Sequence, residues 1–153
     1  MSNRQLLIFK LNGEDFGVEI THVDQIIPPK EIFMVPNTPE HIEGLLSLRG
    51  KVYTIINLRK RFGFPSKDFD DATKIIIVNV NSVMVGFIVD EVNEIARVED
   101  ENIESTPQTI ANLNRKYLSG VAKIGDRIVI TLDLDQVLSA SEEAEVARLS
   151  NSK

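Results

Sequence analysis

The sequence predicts a mainly β protein built from two similar lobes, each a small barrel of four or five short strands. Three observations support this fold class. Short apolar runs alternate with turn-forming residues at even intervals, which is typical of strands joined by hairpins. The second half of the chain repeats the pattern of the first. No long helical pattern separates the apolar runs, whereas a parallel βαβ arrangement would need crossover helices between its strands.

A hairpin opens the predicted fold. Residues 6–11 read as a strand, and residues 16–20 are expected to form the return strand. Between them, Asn12-Gly13 is a dipeptide preferred in two-residue turns, because both positions tolerate a positive φ. Three further apolar residues then extend the pattern up to a pair of prolines: Val23, Ile26 and Ile27.

The next segment combines a short extended piece at residues 33–35, a helix start, a turn and a strand. The helix start is predicted by a cap, a proline at the first helical position and an acid near the helix dipole: Thr38, Pro39 and Glu40. Residues 44–50 predict a glycine-bounded turn that holds Arg49, and residues 52–58 predict the strand that follows. A charged side chain that leaves a tight turn at a strand edge lies where partners are commonly bound.

The second half of the chain predicts three more strands and a terminal helix. A polar loop at residues 64–71 precedes strands at 74–80 and 84–89, and a shorter strand is expected at 95–98. Asn81-Ser82 joins the first two of these strands. Residues 135–149 have helical propensity with Asp135 as a possible cap, and residues 139–153 are expected to form a C-terminal helix and tail.

Glycines and turn residues give the strongest evidence for the repeat. Under shifts of 69 and then 76 residues, equal residue types coincide: Asn12 with Asn81, Gly17 with Gly86, and Gly44 with Gly120. The change of shift requires an insertion in the second copy, expected between residues 99 and 116. The two copies are predicted to span residues 6–63 and 74–138. The second copy has Gly125 at the position of Arg49, so the repeat includes the turn but not the arginine.

Composition and charge limit the classes of function. The 153-residue chain fits one domain, and its lack of cysteine excludes disulfides, thiolate metal sites and cysteine nucleophiles. Its net charge of −6 disfavours nucleic-acid binding, which depends on clustered cations. The short basic run at residues 59–61 is interpreted as a solvated face. The apolar runs are too short to cross a bilayer, so a cytoplasmic location is expected.

No set of residues predicts catalysis or a cofactor. Residues 44–52 lack the glycine spacing and the hydroxyl of a phosphate-binding loop. His22 and His41 share no metal-ligand spacing and are interpreted as surface residues. Three neighbouring carboxylates lack a catalytic partner of another type: Asp90, Glu91 and Glu94. A binding module is therefore favoured over an enzyme, and a hydrolase that uses these carboxylates is kept as an alternative.

An oligonucleotide-binding barrel is a second alternative. Such barrels stack bases on aromatic side chains within a basic groove. The chain has no Trp, two Tyr and seven Phe, and its net charge is acidic. Salt-dependent binding of single-stranded DNA would support this alternative, which composition does not favour.

Five motifs point together to one family. They occupy residues 9–20, 35–39, 44–50, 55–59 and 85–92, and include Val35-Pro-Asn-Thr-Pro39 and Gly44-Leu-Leu-Ser-Leu-Arg-Gly50. In this order and spacing they resemble the CheW family of chemotaxis coupling proteins, whereas Leu-Arg-Gly alone would be unspecific. The resemblance runs from about residue 6 to residue 138, nearly the whole chain.

The resemblance implies a fold and a function. The expected fold is one CheW-like domain over residues 6–138, with two five-stranded SH3- or OB-like barrel lobes that interlock around a shared core. No enzymatic activity and no cofactor are implied. The implied partners are the cytoplasmic tips of chemoreceptors and the regulatory domain of the histidine kinase CheA. The chain has no room for a kinase or receiver domain, which favours a free-standing adaptor.

The resemblance also implies contact residues. Arg49 and Gly44 match the arginine and leading glycine of the family's Asn-Leu-Arg-Gly segment, associated with receptor contact. Three residues after the second strand match a segment that the family uses for partners: Val23, Gln25 and Ile26. Two apolar strand positions are expected to meet the kinase: Leu7 and Ile20. Two departures affect these expectations, because Ser47 replaces the usual Asn and Gln25 stands where an acid is common.

Overall fold

The computed structural model describes residues 3–29, 32–36, 42–80, 82–104 and 118–137. Its strands are β1 (Asn3–Leu11), β2 (Glu14–Glu19), β3 (Val23–Ile27), β4 (Ile42–Leu48), β5 (Lys51–Asn57), β6 (Lys74–Val80), β7 (Val83–Val89), β8 (Glu91–Glu99), β9 (Ile103–Glu104), β10 (Leu118–Ile124) and β11 (Arg127–Leu132). Its helices are α1 (Leu58–Arg61) and α2 (Leu134–Val137), and Ile20–His22 and Asp100–Asn102 form 3₁₀ turns.

The strands form two sheets, which confirms the predicted mainly β fold with two lobes. Sheet A has six strands in the order β8-β1-β2-β11-β10-β9, and sheet B has five in the order β3-β6-β7-β5-β4. We name the corresponding lobes A and B. Within the described residues each order has two free edges, so the hydrogen bonds do not close either sheet into a complete barrel.

The two sheets exchange parts of the repeat. Sheet A combines β1 and β2 of the first copy with β8 to β11 of the second, and sheet B combines β6 and β7 of the second copy with β3 to β5 of the first. The parallel contacts lie at equivalent positions, Phe16 beside Ile130 in sheet A and Val85 beside Thr54 in sheet B. The lobes are therefore interlocked and do not coincide with the two halves of the chain.

Three groups of apolar side chains hold this arrangement together. One draws its buried members from sheet B alone and includes Leu46, Ile55 and Ile75. A second draws them from sheet A alone and includes Leu6, Ile8 and Val129. The largest joins both sheets and both helices, and within it the rings of Phe9, Phe16 and Phe62 stack at centroid distances of 6.1 and 5.8 Å. Because this largest group is shared, each lobe covers apolar surface of the other.

The predicted hairpins are present. β1 and β2 pair from Leu6 with Glu19 to Leu11 with Glu14, and the turn residues Asn12 and Gly13 have φ of 52° and 83°. The strands at 74–80 and 83–89 agree with the prediction to within a residue. β8 runs from Glu91 to Glu99 and is longer than the predicted 95–98, because it pairs along β1.

One expectation about the first copy is wrong. Residues 44–48 are not part of a turn, since β4 covers Ile42–Leu48 and the chain turns only at Arg49 and Gly50. The strand predicted over 52–58 is present as β5 to within a residue, and it ends at Asn57, whose side chain caps α1 by accepting a hydrogen bond from the Lys60 amide. The helix predicted to start at Thr38 would begin outside the described residues, and Ile42 and Glu43 already belong to β4. The C-terminal helix predicted over 139–153 also lies outside the described residues.

Candidate partner-binding site

Arg49 occupies the tip of the β4–β5 hairpin. Leu48 and Lys51 are the last paired residues of the two strands, and Arg49 and Gly50 form the two-residue turn between them. Both turn residues have a positive φ, 53° and 81°, as two-residue hairpin turns require. Arg49 is exposed, and within the described residues its guanidinium has no ion pair or side-chain hydrogen bond. Its charge is therefore available to another molecule.

The conformation of Arg49 is unfavourable for an arginine. L-residues other than Asn and Asp rarely adopt a positive φ, because Cβ approaches the following carbonyl oxygen. The equivalent residue in the hairpin of lobe A is Gly125, at a φ of 59°, where glycine meets no such conflict. The arginine thus stands where the backbone favours glycine, and this is a common property of functional residues.

Gly44 has a structural role beside β4. Phe33 lies beside β4, and its amide and carbonyl exchange hydrogen bonds of 2.7 and 2.8 Å with Leu45. A Cβ added to Gly44 would lie 2.3 Å from the Phe33 carbonyl oxygen, too close for any side chain. In lobe A, a Cβ on Gly120 would lie 2.6 Å from the Glu104 carbonyl oxygen. Gly44 therefore lets a neighbouring segment approach β4 and is buried itself.

Val23, Gln25 and Ile26 lie on β3, at one edge of sheet B, whereas Arg49 adjoins β4 at the other edge. Val23 is half-buried against the shared core, Gln25 is half-buried, and Ile26 is 39% exposed. The side chain of Ile27 nevertheless packs in one cluster with Leu46 and Leu48 of β4. Both edge strands of sheet B therefore contribute side chains to one apolar cluster.

Sequence reasoning did not identify an exposed apolar pair beside β4. Phe33 is 57% exposed and Met34 is 88% exposed. Phe33 pairs with Leu45, whose side chain is half-buried. The equivalent position to Phe33 in lobe A is Glu104, which forms an ion pair with Lys123. The edge of lobe B is therefore apolar where the edge of lobe A is charged, a difference that local sequence patterns do not indicate.

The residues expected to contact a kinase differ in accessibility. Leu7 is 1% exposed and belongs to the shared core, so it has almost no surface to offer a partner in this structure. Ile20 is half-buried in the 3₁₀ turn after β2 and packs against the same core. Of the two, only Ile20 presents part of its side chain to solvent.

The basic run at residues 59–61 is not the solvated face that the sequence suggested. The guanidinium of Arg59 donates to both carboxylate oxygens of Asp90 at 2.8 and 2.7 Å, and both side chains are mostly buried, 12% and 14% exposed. Lys60 forms an ion pair with Glu43 at 3.4 Å. Arg61 donates to the carbonyl of Val137 in α2. The run therefore fastens α1 to three other parts of the fold.

Asp90 is held in its ionised form. Burial alone would raise its pKa, but the hydrogen bonds and charge of Arg59 and the amide of Asn12, which donates at 2.9 Å, lower the pKa below its usual value. The hydrogen bond to Asp90 raises the pKa of Arg59, against the effect of burial. Asp90 thus acts as the acceptor of a structural ion pair and is not free for acid–base catalysis.

The alternatives based on catalysis or metals gain no support from the geometry. Glu94 is bound by the guanidinium of Arg127. No group of three potential metal-ligating residues occurs in the described part of the chain. His22 is exposed, and His41 lies outside the described residues. No helix among the described residues has the length and apolarity needed to span a membrane.

Known proteins match this chain in both sequence and fold. The CheW-like domain family matches residues 5–142. The chain is 32% identical over 149 residues to the chemotaxis protein CheW of Klebsiella aerogenes, covering 97% of this chain and 90% of the relative. It is 30% identical to CheW of Treponema pallidum, covering 95% and 88%. The solved structure of the scaffolding protein CheW from Thermoanaerobacter tengcongensis matches with a TM-score of 0.85 at 30% identity, covering 92% of this chain and 96% of that one.

Proposed function

Since the chain belongs to the CheW family of chemotaxis proteins, we propose that it is an adaptor that joins the cytoplasmic tips of chemoreceptors to the regulatory domain of the histidine kinase CheA. It binds both proteins and catalyses no reaction itself. The domain that performs this role covers residues 6–138. The protein reaches the membrane by binding receptor arrays and does not insert into the bilayer.

The observation on which the receptor assignment rests is the state of Arg49. Its guanidinium is exposed and has no partner among the described residues, and its backbone is in a conformation that favours glycine. A salt bridge that merely fixed the turn would explain the arginine equally well, but the described residues contain no such bridge. We infer that Arg49 binds the receptor.

The other expected contact residues have different roles in this proposal. Ile26 and Val23 provide the apolar part of the receptor surface, because Ile26 is exposed at the edge of sheet B. Gln25 lies between them in sequence and presents a neutral amide where an acid is common in the family. Gly44 contributes indirectly by allowing Phe33 to pair with β4. Ile20 contacts the kinase domain, with Leu7 supporting it from the core.

Two experiments test the proposal. The purified protein is first used as bait in extract of its own cells, and recovery of a chemoreceptor and a histidine kinase is expected. The recovered partners are then combined with wild-type protein or with Arg49→Ala in an assay of kinase autophosphorylation. Loss of the charged contact should weaken receptor coupling by about 1–3 kcal/mol while the thermal transition is preserved.

Controls separate binding from folding in these experiments. Lys123→Ala removes an exposed cation on lobe A and should couple normally. Recovery of neither receptor nor kinase would refute the adaptor function. Normal coupling by Arg49→Ala, or unfolding of this variant, would refute only the role assigned to Arg49.

A further inference from the structure

Two groups of side chains at equivalent positions, one in each lobe, differ in charge. In lobe A, four side chains form one ion-pair network, which we name mouth A: Lys10, Asp15, Glu94 and Arg127. Asp15 accepts from Lys10 at 3.0 Å and from Arg127 at 3.2 Å. Arg127 also binds Glu94, so β8 and β11 are joined across β1 and β2. Each charge of mouth A therefore has a partner within the chain.

The repeat defines the equivalent positions in lobe B, which we name mouth B: Asn79, Met84, Gln25 and Lys51. Strand pairing supports the equivalence. Glu94 pairs with Ile8 next to a register shift in which Asn93 has no partner on the neighbouring strand. Gln25 pairs with Ile77 next to a register shift in which Asp24 likewise has none. Arg127 pairs with Ile124, and Lys51 with Leu48, at the ends of matching hairpins. Because these registers agree, Lys51 and Gln25 hold the positions in lobe B that Arg127 and Glu94 hold in lobe A.

Mouth B lacks the carboxylates that neutralise mouth A. Met84 replaces Asp15, and Gln25 replaces Glu94, while Lys51 keeps the positive charge of Arg127. Lys51 is exposed and has no ion pair or side-chain hydrogen bond among the described residues. The nearby Asp24 accepts a hydrogen bond of 3.2 Å from Gln25 and forms no ion pair within the described residues. Lys51 in mouth B and Arg49 on the adjoining turn are thus two cations without an ion pair among the described residues, although the chain as a whole has a net charge of −6.

We propose that mouth B binds an acidic side chain of a protein partner, which takes the position that Glu94 has in mouth A and pairs with Lys51 and Arg49. The inference rests on the proposed function in taking the receptor tip as that partner. Met84 is half-buried against the interior of lobe B, and Ile26 is exposed on β3. An acidic residue flanked by apolar ones fits this surface better than a free, hydrated phosphate.

The proposal makes Gln25 and Lys51 determinants of partner choice. A carboxylate at position 25 would pair with Lys51 inside the chain, as Glu94 pairs with Arg127, and would compete with the acid of the partner. Exposed charge pairs of this kind act mainly on the rate of association and on its dependence on salt. Both quantities can be measured.

The test uses the full-length chain and the purified cytoplasmic fragment of the chemoreceptor recovered by pull-down. Binding is measured by biolayer interferometry at low and high salt for wild type, Gln25→Glu, Lys51→Glu and Lys123→Glu. Lys123→Glu is the matched control for Lys51→Glu, because it makes the same change in net charge at an exposed position of lobe A. We expect binding to weaken roughly tenfold for Lys51→Glu and roughly threefold for Gln25→Glu at low salt, with both differences reduced at high salt.

The outcomes separate this inference from the proposed function. Unchanged affinity for both Lys51→Glu and Gln25→Glu, or equal weakening by Lys123→Glu, overturns the inference while the adaptor function stands. Thermal unfolding of each variant shows that the fold is retained. If the wild-type chain binds no receptor fragment, the proposed function fails. In that case wild type and Lys51→Glu are compared as baits in the pull-down. Equal recovery of every bound protein by the two baits overturns the inference.

Discussion

Arg49 combines an unfavourable backbone with an unsatisfied charge. An L-residue in the left-handed region is disfavoured by about 1 kcal/mol, and Gly125 avoids this penalty at the equivalent turn. Nothing among the described residues offsets it, since the guanidinium of Arg49 has no partner there. Under the proposed function, the arginine contributes to binding at the expense of stability, a pattern known for functional residues.

Replacing Arg49 by Asn should separate these two effects. The variant creates an Asn-Gly turn, the pair best suited to two consecutive positive φ angles. We expect the free energy of unfolding in urea to rise by about 0.5–1 kcal/mol, while receptor coupling falls. Ser47→Asn, exposed on β4 of the same hairpin, is the control and should not gain stability. A less stable Arg49→Asn variant would show that Arg49 supports the fold.

The Arg59–Asp90 pair predicts a specific dependence of stability on pH. The pKa of Asp90 is lower in the folded chain than in the unfolded one, because Arg59 and the Asn12 amide outweigh burial. Ionised Asp90 therefore stabilises the fold above its unfolded pKa of about 3.9, and this contribution is lost as pH falls through the folded pKa. At pH 7, Asp90→Asn should lower the free energy of unfolding by about 3 kcal/mol, since Arg59 would stay mostly buried without its partner.

The difference in the free energy of unfolding between wild type and Asp90→Asn should shrink as pH falls below about 3.9. Chemical denaturation over a pH series measures this difference. Asp100→Asn is the matched control, because Asp100 pairs with Arg4 at an exposed site and should contribute less than about 1 kcal/mol. An equal loss of stability for both variants at pH 7 would contradict the importance of the buried pair.

The Arg59–Asp90 pair also shows which contacts a local sequence pattern cannot predict. Three consecutive cations usually lie in solvent, and this is why the sequence suggested a solvated face at 59–61. The acceptor of Arg59 lies 31 residues away in the second copy of the repeat, so no local pattern indicates it. The exposed position of Arg49 in a tight turn, in contrast, was predictable, because Gly50 and the strand that follows define the turn locally.

At the scale of elements, β4 shows how a sequence pattern can conceal a strand. Gly44 suggested a turn, since glycine is unfavourable inside strands. The structure gives another reason for the glycine: the Phe33 carbonyl approaches so closely that no Cβ fits. Strands with ordinary alternation and a recognisable turn, such as β1 and β2, were predictable, whereas a strand shaped by contact with a distant segment was not.

Gly44→Ala tests this explanation. The added methyl must displace backbone and not a flexible side chain, so we expect the free energy of unfolding to fall by about 2 kcal/mol. Gly120→Ala, equivalent in lobe A, should have a similar effect, and Ser47→Ala on exposed β4 surface should change stability by less than about 0.5 kcal/mol. A Gly44→Ala variant of unchanged stability but weaker receptor binding would make Gly44 a contact residue instead. Thermal unfolding and the receptor assay together distinguish these outcomes.

At the scale of the whole molecule, the sequence predicted the duplication but not the exchange of strands between the two copies. Apolar periodicity and matching glycines indicate two similar copies. They do not determine which copy supplies the neighbours of β2 and β7, because strand pairing between distant segments depends on packing in three dimensions. Only the resemblance to a family implied interlocked lobes. The exchange has a physical consequence, since the largest apolar cluster takes side chains from both copies and both sheets.

That consequence can be tested by dividing the chain in the exposed loop after α1, between Ser66 and Lys67. If each copy formed its own lobe, residues 1–66 and 67–153 would fold separately. In the observed topology, β1 and β2 lie in sheet A while β3 to β5 lie in sheet B, so neither fragment contains a complete sheet. Each fragment alone should give the circular dichroism of a disordered monomer, and mixing them should restore the β spectrum and a cooperative thermal transition. Two copies of one fragment could also exchange strands with each other, so sedimentation velocity is needed beside the spectra. A folded fragment that sediments as a monomer would contradict the exchange of strands between the repeat copies.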